Sequence, residues 1–123
     1  MPSANAILPS SVRLVTTDGA ETVAVTIPTQ RNHAYLIEAH VVATDGSTSA
    51  GYIRAATFEN NAGTLGQVGS TTSIATHEDI ASPMDVTFAV SGTEIRLLVT
   101  GDPGRQIIWE CDIDTWQSAA VGS

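Results

Sequence analysis

At 123 residues and 12.8 kDa the chain has room for one domain. A domain of that size buries roughly two-thirds of its extended surface, enough for a core without disulfides. Thirteen acidic residues face five basic ones, for a formal net charge of −8, and an apolar fraction of 42% is too high for disorder. This balance argues against sequence-independent nucleic-acid binding and against docking on an anionic membrane, both of which need clustered cations.

Eleven valines and ten isoleucines stand against six leucines and two methionines, with sixteen threonines besides. Side chains branched at Cβ lose rotamer freedom in a helix and pack well on a pleated surface, so composition alone points to an all-β protein. Residues 12–17 and 22–27 read as the first two strands, and Asp18-Gly19 between them as a hairpin turn. Val23, Val25 and Ile27 share a face, and Pro28 closes the second strand. Residues 34–44 form a longer strand with Tyr35, Ile37, Ala39 and Val41 on one side and Leu36, Glu38, His40 and Val42 on the other.

Asp45-Gly46 opens a loop, residues 51–59 make the next strand, and Asn60-Asn61-Ala62-Gly63 turns the chain. Residues 64–76, poor in large apolar side chains, read as one or two weak exposed strands, and 77–83 as loop. Residues 85–90 alternate with Val86, Phe88 and Val90 inward. Residues 94–100 point Ile95, Leu97 and Val99 inward and Arg96 outward. Gly101-Asp102-Pro103-Gly104 turns again, and residues 106–115 place Ile107, Trp109, Cys111 and Ile113 on one face and Ile108, Glu110, Asp112 and Asp114 on the other. The pattern predicts an antiparallel β-sandwich or jelly roll of about eight or nine strands, the last three as a meander. Residues 1–11 are expected to form an N-terminal arm, 12–116 the sandwich and 117–123 a C-terminal tail.

Residues with chemistry are few. His33, His40 and His77 lack the spacing of a local metal motif, and no phosphate-binding loop or nucleophile elbow is present, so neither a metal nor another cofactor is expected. His77-Glu78-Asp79 reads as a solvated acidic turn rather than an ion site. Glu110, Asp112 and Asp114 alternate on the last strand, ~7 Å apart along one face. They suit the wet face of an edge strand, a Ca²⁺ ion, or contact with arginines such as Arg96 and Arg105 on a neighbouring strand or subunit. Trp116 lies just past that strand and completes the candidate partner-contact set. Cys111 sits between two acids and reads as a small core residue, not a nucleophile. No apolar run nears the ~20 residues of a membrane helix. The start, Met1-Pro2-Ser3-Ala4-Asn5, lacks the segments of a signal peptide, so synthesis in a cytoplasm is expected.

The run Val90-Ser-Gly-Thr-Glu-Ile-Arg-Leu-Leu-Val-Thr-Gly-Asp-Pro-Gly-Arg-Gln-Ile-Ile-Trp109 resembles small β-domains of tailed-bacteriophage virion proteins. So does Gly51-Tyr-Ile-Arg-Ala-Ala-Thr-Phe58 with the asparagine-glycine turn after it. The resemblance implies a non-enzymatic virion component, made in the host cytoplasm, that assembles as a homo-oligomer, commonly a trimer. Such domains serve as head decoration proteins, head fibres and tail-fibre tips. The shortness of the chain favours a capsid decoration (cement) protein on the head surface, its arms contacting the major capsid protein or another virion protein. The alternative is a receptor- or glycan-binding module of a head or tail fibre. Only six aromatic side chains are available for sugar stacking, five of them in predicted strands.

Overall fold

The computed structural model describes residues 11–78 and 84–119, which contain eight strands and no helix. In chain order these are β1 (Ser11–Thr16), β2 (Glu21–Pro28), β3 (His33–Thr44), β4 (Ser49–Asn61), β5 (Thr64–Glu78), β6 (Asp85–Ser91), β7 (Glu94–Thr100) and β8 (Ile107–Ala119). They pair antiparallel in two sheets, a five-stranded one in the order β1-β8-β3-β4-β5 and a three-stranded one in the order β2-β7-β6. The all-β sandwich predicted from the alternation is the fold that forms.

The core is the sum of the inward rows. Tyr35, Ile37, Ala39 and Val41 of β3 and Ile107, Trp109, Cys111 and Ile113 of β8 face Ile95, Leu97 and Val99 of β7, all at most 5% exposed. Phe58 of β4 meets Phe88 of β6 edge to face, ring centroids 5.8 Å apart, and joins the sheets. Trp109 is fully buried, and its Nε1 donates to Thr16 Oγ1 at 2.9 Å, which ties β8 to the end of β1. Arg54 is the one buried cation among the described residues. From β4 its Nε donates to the Val86 carbonyl at 3.1 Å and its Nη1 to the Ala75 carbonyl at 2.8 Å. Val86 and Ala75 lie on β6 and β5, each an edge strand of its sheet, so one guanidinium clips the open side of the sandwich.

Two connections differ from expectation. Asp18-Gly19 is not a hairpin: β1 pairs with β8 and β2 with β7, so these residues carry the chain from one sheet to the other. The crossing is held from the far end of the chain. A Cβ on Gly101 would lie 2.5 Å from both the Asp18 carbonyl oxygen and Thr16 Oγ1, so only glycine fits there. The expected final meander likewise stops after the β6–β7 hairpin, because β8 leaves β7 and inserts between β1 and β3. Arg105 holds this second crossing. Its guanidinium bonds Asp45 in the β3–β4 turn and Asp102 at 2.8 Å. The Thr48 amide, then Arg105, then the Ser47 amide donate to Asp45 and keep its carboxyl far below the usual carboxylate range.

Smaller departures have local causes. A register shift between Val23 and Val25 turns Val23 outward, where it is 42% exposed. The weak segment after residue 63 is a single strand, β5, broken by two irregularities against β4. It begins at a tight turn in which Ala62 and Gly63 both have positive φ (54° and 96°). His77 and Glu78 close β5 rather than forming loop, and Tyr52 donates to Glu78 Oε2 at 2.7 Å. β8 runs on past residue 116, so Trp116 lies within it, as do Gln117, Ser118 and Ala119, expected in the tail. Ser11, assigned to the arm, opens β1. The rest of the two arms and Asp79 lie outside the described residues.

Candidate functional site

Two depressions on the described surface are open, one between the ends of β4 and β5 lined by Gly51, His77 and Glu78, the other lined by Asn32, His33 and Asn60. Functional side chains concentrate instead on a flat surface, the outer face of the five-stranded sheet. Register fixes its composition. Across β3 and β8, Leu36 stands opposite Trp116, Glu38 opposite Asp114, His40 opposite Asp112, and Val42 opposite Glu110. β1 extends the rows with Arg13 beside Glu110 and Val15 beside Ile108, and β4 with Ile53 beside His40 and Ala55 beside Glu38.

This face is unusual in two ways. An antiparallel sheet with one wet side normally alternates apolar-in and polar-out. Here Val15, Leu36, Val42 and Trp116 are 46–57% exposed on the outer side. At its centre, carboxylates of neighbouring strands face each other. Glu38 and Asp114 are a directly opposed like-charge pair, and Asp112 and Glu110 continue the acidic column along β8. His40 is a polar neighbour of this pair, its Nε2 2.7 Å from Glu38 Oε1. Donor atoms of Glu38, His40 and Asp114 all lie within 4.8 Å of one another, so among the described residues these three are the set with the spacing to hold a divalent ion.

One arginine, Arg13, meets this face, while Arg96 and Arg105 do not. Arg13 pairs with Glu110 at 3.4 Å at the rim, with both side chains more than half exposed. Arg105 is committed to the crossing described above. Arg96 lies on β7 in the other sheet, 3.7 Å from Glu94, with its Nε buried and without a hydrogen-bond partner. Within the chain, then, neither Arg96 nor Arg105 faces the row Glu110, Asp112 and Asp114. The row is also not on an edge strand, because β8 lies between β1 and β3. Alternation in the sequence puts Glu38 and His40 on one face of β3 and Asp114 on the polar face of β8, but nothing local announces the β3–β8 pairing that joins them.

Opposed like charges make a prediction. Asp114→Asn will stabilise the isolated protein by about 0.2–1 kcal/mol at low salt, and the gain will shrink at high salt. Urea midpoints at two ionic strengths measure it; a destabilised variant would mean the carboxylate has a favourable partner. Cys111 behaves differently from this surface. It is buried inward, and burial first, then Asp112 and Glu110, pushes its thiol up to about 11. The folded protein holds this proton more tightly than an unfolded thiol near 9. The contribution is therefore fully present below pH 9 and is lost as pH rises toward 11. A thiol reagent at mildly alkaline pH will leave the native protein unlabelled and label it fully in denaturant; native labelling would contradict the burial.

No family model matches the chain, and no curated protein does either. The fold has a solved counterpart. The crystal structure of the Acinetobacter phage vB_ApiP_P1 tailspike protein matches over 98% of this chain with a TM-score of 0.55, at 17% identity. The chain spans only 23% of that tailspike's length. The Acinetobacter baumannii phage AM24 tailspike protein aligns more loosely, at 8% identity over 93% of this chain and 27% of its own, TM-score 0.47. A third match, gp49 of Acinetobacter baumannii bacteriophage Fri1, a tailspike and capsular polysaccharide depolymerase, reaches a TM-score of 0.37 at 15% identity, over 90% of this chain and 17% of its own. At these identities the first match establishes a shared β-sandwich fold, and the other two carry no argument.

Proposed function

We propose that the chain is a non-catalytic structural module of a phage tail spike or fibre. The observation that carries this reading is the match of nearly the whole chain to under a quarter of a phage tailspike. The phage-like run from Val90 to Trp109 supports it independently. The same match weakens capsid decoration, because the shortness that favoured it is equally the size of one domain in a long spike. Homotrimeric assembly and contact with another virion protein belong to the same proposal, on the strength of the sequence resemblance. The reading assigns the module no chemistry of its own, since the opposed carboxylates lie on an open sheet and not in a cleft that excludes water.

Gold-labelled antibodies against the chain, imaged on intact virions, test the placement. Label at the tail end is expected, whereas a lattice of label over the head would restore the decoration reading. One observation favours a glycan-binding role as the second reading: Trp116 is 52% exposed beside Leu36, an apolar platform with carboxylates one step away. Saturable binding on a glycan array, lost in Trp116→Ala, would establish it.

A further inference from the structure

We propose that the outer face of the five-stranded sheet docks a protein surface that presents arginine side chains within apolar surroundings. The inference goes beyond the tail-module reading and does not rest on it. Its first ground is the exposed apolar rim, Leu36 and Trp116 at one end of the face and Val42 and Val15 at the other, each close to half exposed. Its second ground is the acidic column between them. The column lies on β8 and β3, both internal to the sheet, so it is not a guard against edge pairing. Charges flanked at both ends by exposed apolar side chains suit an interface in which the apolar contacts limit the access of water to the ionic one.

Charge decides the occupant. Among the described residues, Glu38, Asp112 and Asp114 form no ion pair with an arginine of their own chain, and the one arginine on this face, Arg13, pairs with Glu110. A second copy presenting the same face would bring two acidic columns together, which like-charge juxtaposition penalises. A cationic partner relieves the Glu38–Asp114 repulsion instead. Carboxylates on adjacent strands, ~4.8 Å apart, match the planar fork of a guanidinium. Arginine is also less strongly hydrated than lysine and stacks on aromatic rings, as Trp116 would allow.

The test uses a short peptide alternating arginine with leucine and valine, titrated into isotope-labelled protein and followed by NMR. Saturable shifts confined to the outer face, residues 13–15, 36–42 and 108–116, are expected. Affinity will fall roughly tenfold for the citrulline peptide, and by a similar factor for the Glu38→Gln/Asp114→Asn double variant or on raising the salt. Val42→Ala, which keeps every charge, will weaken binding less. Equal affinity for the citrulline peptide, or shifts on the three-stranded sheet, would overturn the proposal. So would a dimer in sedimentation that Val42→Asp dissociates, or stoichiometric zinc uptake that His40→Ala abolishes.

Discussion

Replacing Trp109 with alanine will destabilise the protein by about 3–5 kcal/mol, the scale for removing a fully buried aromatic from a well-packed core. Trp109 is 0% exposed and the largest fully buried side chain described, and it sits on β8 between β1 and β3. Its loss leaves a cavity under three strands and removes the hydrogen bond to Thr16 Oγ1, a hydroxyl that is itself buried. Against a total stability of roughly 5–15 kcal/mol for a domain, the variant will be close to unfolding. Trp109→Phe keeps most of the ring and loses only the Nε1 donor, so its penalty should be markedly smaller. Urea unfolding followed by circular dichroism separates the two. Equal midpoints for Phe and Ala would show that the hydrogen bond, not the volume, matters.

Removing the guanidinium of Arg54 will cost about 2–4 kcal/mol, because it leaves acceptors on two edge strands without their donor. The Val86 and Ala75 carbonyls receive charge-assisted bonds from Nε and Nη1, and the guanidinium lies 5.1 Å from the Tyr52 ring centroid. The ion pair with Asp85 adds little, since it spans 3.8 Å and Asp85 is 61% exposed. Arg54→Lys will not restore stability, since one ammonium cannot reproduce the fork that reaches both strands. Arg54→Met keeps the apolar stem and loses every donor. If Arg54→Lys matched the parent in a denaturant titration, a simple buried charge rather than the bridging geometry would explain the site.

How far the sequence reveals this molecule follows from the range of each signal. Alternation is local, so the inward rows Tyr35-Ile37-Ala39-Val41 and Ile107-Trp109-Cys111-Ile113 were readable directly, and with them the all-β class. Strand partnership is not local. Asp18-Gly19 has hairpin chemistry, yet β1 serves β8 almost a whole chain away, because its inward Thr16 completes the burial of Trp109. Val23 broke the alternation because of a bulge that leaves no mark in composition. The candidate surface was half visible. The outward sides of β3 and β8 were each legible, but their union into an acidic centre with an apolar rim exists only in the register of the sheet. Arg54 gave no signal, because an arginine in an alternating strand reads as a surface residue until its burial is seen.

The two proposals together predict that the outer face of the five-stranded sheet is covered by a partner in the virion. Hydroxyl-radical footprinting of Trp116 tests this most directly, since its half-exposed indole is readily oxidised in the free protein. Trp116 and Leu36 are predicted to be protected in intact virions, with Val23 on the opposite sheet oxidised equally in both states. Oxidation of Trp116 at the same rate in virions and in the isolated protein would contradict the account.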